Sequence, residues 1–283
     1  MTMAFQKIKS FAKINLALNV LGKLSNMHKI ESLVAFIDLN DLIYIKKINL
    51  DKHQIKFYGK FSYGIKKKNT ISNLLKILDD RQILKDQKFE IRIKKNIPPK
   101  AGLGGGSMNA ATILKYFIDK KIIKITRKQL LAITNFIGSD VILGINTSNT
   151  ILSSNNPIKR YKNYKKLFTL VVKPNFGCST KDIYSGVKKF TKSKFNQPQK
   201  KMFDTNFLQK LNNDLENIAF KKYPKLKLIK IFIANQCKPI FVRMTGSGSA
   251  IVAYYLSKKA CEKARKIFTK KFKNYWCISS KTI

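Results

Sequence analysis

The stretch Asn96-Ile-Pro-Pro-Lys-Ala-Gly-Leu-Gly-Gly-Gly-Ser-Met-Asn-Ala-Ala-Thr112 limits the possible folds of this chain more than any other. Gly102 and Gly104 to Gly106 lie between a pair of prolines and an apolar run. Glycine reaches positive φ at little steric cost and lets main-chain N–H groups approach a ligand closely. Ala110, Ala111, Ile113, Leu114 and Phe117 come next at helical spacing, so the loop opens a helix. Upstream, Phe89-Glu-Ile-Arg-Ile-Lys94 alternates apolar and polar like a strand. Strand, glycine loop and helix in that order suit an anion, because the first helical turn offers N–H donors and partial positive charge. No Lys-Ser or Lys-Thr pair stands after the last glycine, which excludes the Walker A pattern. A flexible linker is the competing reading, and it leaves the amphipathic helix unexplained.

A second glycine loop, Met244-Thr-Gly-Ser-Gly-Ser249, sits between strand patterns at 240–243 and 250–256. A hairpin turn accounts for its two glycines, and its hydroxyls would equally serve a phosphate. Near the start, 10–19 alternates, with Phe11, Lys13, Asn15 and Ala17 on one face and Ala12, Ile14, Leu16 and Leu18 on the other. A lone lysine in a strand is usually a surface charge. A Lys and an Asn sharing one face of an apolar strand are candidates for a site.

Elsewhere the local signals are mainly structural. Asn69 or Thr70 caps a helix through Leu74, Leu75, Ile77 and Leu78, and Thr126 with Gln129 forms a capping box for a helix to about Phe136. Asp140, after a glycine turn, reads locally as an N-cap or turn carboxylate. His28 reads as a structural or exposed histidine. Leu167 to Val172 is a strand, and Ser179 or Thr180 caps a short helix carrying Ile183, Tyr184 and Val187. The Lys-, Asn- and Gln-rich 188–201 reads as a mobile loop. Helices are expected near 206–220, from Pro224 to Ala234 and over 258–272, with a closing strand at 276–279. The alternation of strands and helices places the chain in the α+β class.

The 283 residues correspond to about two domains, and the polar 153–166 is the candidate boundary. No apolar run approaches bilayer length, and no leader pattern precedes the first strand, so a cytoplasmic protein is expected. Cys178, Cys237, Cys261 and Cys277 are scattered, which points to reduced, partly buried thiols and to neither a disulfide framework nor a thiolate metal site. The formal charge of +42 is spread through nearly every segment, alongside abundant Ile, Asn and Phe. It reads as a solvated surface that steers anionic substrates inward. A nucleic-acid-binding protein is the rival class, predicting steeply salt-dependent binding.

Three segments in order, Ala12-Lys-Ile-Asn15, Pro98-Pro-Lys-Ala-Gly-Leu-Gly-Gly-Gly-Ser107 and Met244-Thr-Gly-Ser-Gly-Ser249, resemble the GHMP kinase family. Met27-His28, Ile137-Gly-Ser-Asp-Val-Ile142 and Asn213-Asp-Leu-Glu216 extend the resemblance over essentially the whole chain. It implies an α+β two-domain GHMP kinase fold. An N-terminal domain, 1–155, would resemble the second domain of ribosomal protein S5, and a C-terminal domain, 156–283, would be ferredoxin-like, with the substrates meeting between them. It implies an ATP-dependent small-molecule kinase, with Mg2+ accompanying the nucleotide. Apart from the resemblance, no membrane partner is expected, and the chain is expected as a monomer or homodimer. The implied acceptor is a methylerythritol carrying cytidine diphosphate, a step of non-mevalonate isoprenoid precursor synthesis. Kinases of mevalonate, homoserine or a sugar are the nearest rivals.

The same resemblance assigns residues. Lys13 and Asp140 match the catalytic pair. Lys95, Pro98, Pro99, Lys100, Ala101, Gly102, Leu103, Gly104, Gly105, Gly106 and Ser107 match ATP-binding positions. Asn15, His28, Thr180, Thr245 and Gly246 match the substrate side, with Tyr184 placed against cytosine. Three positions depart from the family pattern: Met27 replaces a Tyr, Met108 a Ser and Ile142 a Pro.

Overall fold

The computed structural model describes residues 4–25, 27–154, 158–162 and 165–283. The boundary expected between residues 155 and 156 lies outside the described residues. By its internal contacts the chain forms two compact units. The first holds Leu39–Pro98 and Gly104–Thr147 with the chain up to Ala12, and the second holds Lys13–Asp38, Pro99–Leu103 and Ser148–Ile283.

Two long strands, β1 (Gln6–Leu24) and β2 (Met27–Ile48), pair with each other and contribute to both units. The alternation read in β1 gives way to burial of every residue from Ala12 to Val20, so both faces of the strand are covered. Along β2 the alternation is clean only in the second half, where Leu39, Asp41, Ile43 and Ile45 all point inward.

In the first unit, β4 (Lys88–Lys94) lies between β3 (Gln54–Tyr58), with which it runs parallel, and the antiparallel second half of β2. Leu42 stands opposite Lys94 and Ile48 opposite Lys88. Helices α1 (Thr70–Asp80), α2 (Gly105–Asp119) and α3 (Arg127–Ile137) and the single turn α4 (Val141–Gly144) complete the unit. Its core is built from Ile43, Ile45, Leu74, Phe89, Leu114 and Phe117. The capping box expected at Thr126 forms, and Asn69, one of two candidate caps for α1, forms a second with Ser72. Asn69 accepts from the amides of Ile71 and Ser72, and Thr126 accepts from Gln129.

In the second unit, the first half of β2 pairs antiparallel with β5 (Asn149–Leu152), which pairs with β6 (Lys159–Tyr161). The remainder runs β7 (Phe168–Lys173), α5 (Thr180–Ser185), α6 (Thr205–Gln209), α7 (Glu216–Lys222), α8 (Pro224–Gln236), β8 (Phe241–Met244), β9 (Ile251–Tyr255), α9 (Lys258–Lys271) and β10 (Trp276–Lys281). Its four-stranded antiparallel sheet has the order β10-β7-β9-β8. With helices after the first and third of these strands, that is the ferredoxin-like βαββαβ arrangement. Leu170, Val172, Leu226, Ile233, Ile251 and Phe268 form its core.

Two local readings change. The helix expected over 206–220 is broken between α6 and α7, where Asn213 Oδ1 accepts from the amide of Leu215 and Asp214 accepts from Val20 N on β1. The loop at 188–201 is fastened. Glu31, fully buried on β2, accepts from Ser193 Oγ at 2.6 Å and from the amides of Lys194 and Phe195 at 2.7 and 3.1 Å. Thr191 Oγ1 donates to Asp214 at 2.6 Å, and Phe195 is fully buried. All four cysteines are free thiols, and burial pushes Cys178 and Cys237 up to about 11, well away from reactive thiolate.

Candidate active site

The first unit carries the helix-opening part of the glycine stretch. Helix α2 starts at Gly105, two residues before Ser107, with Gly104 as its N-cap at φ +69°. Only glycine adopts that conformation without strain. Where α1 and α3 satisfy their first amides with capping side chains, α2 has a cap that brings none. Its first N–H groups are therefore suited to an anion in place of a side chain.

The strand-to-loop junction is held by Asp41. This carboxylate is fully buried among apolar neighbours on β2, where an unpartnered charge would be very costly. It accepts from the amides of Asn96 and Ile97 at 2.7 and 2.8 Å, from Asn109 Nδ2 at 3.0 Å, and from the ammonium of Lys95. Lys95 is thus buried, and a Cβ added at Gly105 would lie 3.6 Å from its Nζ. Pro98 is also buried. Gly106 is exposed, and its carbonyl accepts from Thr70 Oγ1 at 2.9 Å.

Asp140 is the N-cap residue of α4 and makes no capping hydrogen bond to it. The turn before it lies over the start of α2, since a Cβ at Gly138 would come within 4.0 Å of Ser107 Oγ. Met108 explains one departure from the family pattern. It is buried, and its sulfur lies 2.9 Å from where a Cβ at Gly144 would stand. It packs beneath α4.

The second unit carries Lys13, Asn15, the Pro99–Leu103 part of the stretch and the second glycine loop. Pro99 and Lys100 are exposed, whereas Ala101 and Leu103 are buried. Lys13 is 4% exposed and donates to Asn15 Oδ1 at 2.8 Å, while its backbone amide donates to Leu103 O at 3.1 Å. The two glycine loops are stitched by main chain: Ser249 N donates to Lys100 O at 3.2 Å and Ala250 N to Ala101 O at 3.1 Å. Gly102, at φ +73°, approaches so closely that a Cβ there would sit 2.0 Å from Thr245 O. Thr245 is buried, and its hydroxyl accepts from Asn15 N at 3.0 Å and reaches Gly102 O at 3.2 Å. Gly246 lies against the backbone of Gly102.

The Asn213–Glu216 motif, to which no local signal assigned a task, braces this second loop. Asn213 Nδ2 donates to the carbonyls of both Met244 and Gly246 at 2.8 Å, and Glu216 Oε1 accepts from Met244 N at 2.6 Å. Lys230 neutralises the other oxygen of Glu216. Beneath it, Arg243 donates to the carbonyls of Leu16, Leu208 and Leu211, and burial lowers its pKa.

The remaining substrate-side candidates also gather in the second unit. Thr180 Oγ1 lies 2.9 Å from Ser247 Oγ of the second loop. Four residues on along α5, the Tyr184 ring lies 5.1 Å from the His28 ring, tilted by 38°. Met27 is exposed. Lys13 belongs to one unit and Asp140 to the other.

The family profile of the GHMP kinases N terminal domain matches residues 69–153. The 4-diphosphocytidyl-2-C-methyl-D-erythritol kinase of Pelagibacter ubique (strain HTCC1062) is 58% identical over 277 residues, covering 98% of this chain and 99% of that protein. The kinase of the same name from Francisella philomiragia subsp. philomiragia is 32% identical over 263 residues, covering 92% and 91%. A crystal structure of 4-(cytidine 5'-diphospho)-2C-methyl-D-erythritol kinase is similar with a TM-score of 0.79 at 21% identity, covering 98% of this chain and 100% of that one. At that identity the likeness concerns the fold alone.

Proposed function

Because the chain belongs to the GHMP kinases and, within them, to the 4-diphosphocytidyl-2-C-methyl-D-erythritol kinase family, we propose that it moves the γ-phosphoryl group of ATP to the 2-hydroxyl of 4-(cytidine 5'-diphospho)-2-C-methyl-D-erythritol. The near-full-length identity to the Pelagibacter kinase carries this reading. The same proposal places the reaction in non-mevalonate isoprenoid precursor synthesis in the cytoplasm. No described helix is long and apolar enough to cross a membrane.

In this reading the start of α2 receives the ATP phosphates on main-chain N–H groups, an interaction that an uncapped helix N-terminus favours. Asp140 orients the acceptor hydroxyl and takes its proton late, as befits a largely dissociative phosphoryl transfer. Lys13 opposes charge developing on the transferring group. Its burial strengthens that interaction, because little water competes for the ammonium. His28 and Tyr184 form the aromatic platform for cytosine, and Thr180 and Asn15 bind the rest of the acceptor. Mg2+ comes with the nucleotide. Among the described residues no group of three or more His, Cys, Asp or Glu could hold an ion, and Mg2+ in such sites rests largely on phosphate oxygens and water. The half-buried Ser107 hydroxyl in the first turn of α2 would supply one protein ligand, and the bound ion would neutralise phosphate charge.

Turnover of ATP with the cytidylyl methylerythritol as acceptor tests the proposal, with mevalonate, homoserine and hexoses assayed beside it. Phosphorylation of the cytidylyl compound alone is expected. Preference for any other alcohol would overturn the substrate assignment. Asp140→Asn should keep the wild-type Tm and lose about 10³-fold in kcat; full turnover by that variant would remove Asp140 from the chemistry.

A further inference from the structure

We infer that Ser32 is a positioning residue for this reaction, acting on Lys13 through the amide of Asn15. The inference rests on the roles proposed for Lys13 and Asn15. Ser32 lies on β2 and is 1% exposed. Its hydroxyl is 2.5 Å from the carbonyl of Ala17, and a carbonyl can only accept, so the single hydroxyl proton is committed there. Towards Asn15 the same oxygen therefore offers only a lone pair. Asn15 must meet it with Nδ2, at 2.8 Å. That fixes which way the amide points, because the other end, Oδ1, is then turned to Lys13 Nζ at 2.8 Å.

The orientation matters because the two ends of a carboxamide are opposite in character and nearly equal in shape. With Oδ1 forward, the ammonium is met by an acceptor. With the amide reversed, an NH2 group faces an ammonium, and three donors meet two more. Thr245 reinforces the first arrangement only weakly, since its Oγ1 lies 3.4 Å from Asn15 Oδ1 and is closer to Asn15 N and Gly102 O. The proton on Ser32 thus decides the direction of the chain Ala17, Ser32, Asn15, Lys13. Its partners are side chains and one carbonyl, all from β1 and β2.

Removing the hydroxyl leaves Asn15 Nδ2 buried without that acceptor and lets the amide reverse. The ammonium is then misplaced without any group that touches ATP being lost. Steady-state kinetics of Ser32→Ala and Ser32→Thr, beside the wild type and Lys13→Ala, test this. Ser32→Ala should lose about tenfold in kcat, with KM for ATP within about twofold, and Ser32→Thr should recover most of the loss. Wild-type kcat in Ser32→Ala would overturn the inference. So would parallel loss of kcat, both KM values and Tm with no recovery in Ser32→Thr, which marks a packing residue. Failure of the underlying reading looks different. In that case the wild type does not turn over the cytidylyl acceptor, or Lys13→Ala remains fully active.

Discussion

The two glycine-rich segments of this chain hold their shapes by different means. The one running through Gly104 to Ser107 relies on helix α2, whose N-cap is a glycine and whose first amides receive no capping side chain. The one running from Met244 to Ser249 relies on its surroundings. Asn213 takes two of its carbonyls, Glu216 takes the amide that leads into it, and Lys100 and Ala101 take two amides on its far side. The first arrangement keeps donors available for a ligand, and the second commits its backbone polar groups to holding a shape. The hydroxyls of the second loop are buried as well, with Ser247 Oγ 2.9 Å from Thr180 Oγ1 and Ser249 Oγ donating to Phe176 O at 2.8 Å. Glycine content alone does not distinguish these two uses.

Substitutions can separate them. Gly102→Ala should have the largest effect, because the added carbon meets main chain on the second loop and the φ is positive. A misplacement of this kind is expected to lower kcat/KM by about 10² or more and to lower Tm as well. Wild-type kinetics would show that the stitching between the segments is incidental. Asn213→Ala should come next. It leaves two buried carbonyls of the second loop without their donor, each costing about 1–3 kcal/mol. A drop of roughly 5 °C in Tm and about tenfold in kcat is expected. An unchanged Tm would mean that the loop keeps its shape without the brace. Met108→Ser should affect turnover least, within about twofold, while lowering unfolding free energy by about 2–5 kcal/mol as packing beneath α4 is lost. A markedly lower KM for ATP in that variant would instead put residue 108 beside the phosphates.

Much of this was legible in the sequence. Strand, glycine loop and helix at 89–117, the cap of α1 and the capping box of α3, the hairpin around the second loop and the βαββαβ order all stem from local spacing and turn chemistry. The features that escaped reading depended on distant partners. Lys13 and Asn15 share a face as expected, yet the strand is buried on both sides, which alternation cannot reveal. Asp41 looks like an interruption in an apolar strand until the amides of Asn96 and Ile97 are found on it. Asn213 and Glu216 are visible as a motif, but its task emerges only once Met244 is brought beside them. The region 188–201 misleads because its composition is that of a solvated loop, while the acid that fastens it lies 162 to 164 positions away.

That fastening bears on any attempt to engineer the protein. A lysine-rich surface segment with no helix or strand before the 3-10 turn at Lys200–Phe203 invites shortening or exchange for a flexible spacer. Cutting out Ser193 to Phe195 would strand the carboxylate of Glu31 in apolar surroundings, with Asn19 as its one remaining described hydrogen-bond partner, and would also empty the space filled by Phe195. The segment is better regarded as part of the interior that happens to pass along the outside, and truncations should spare it.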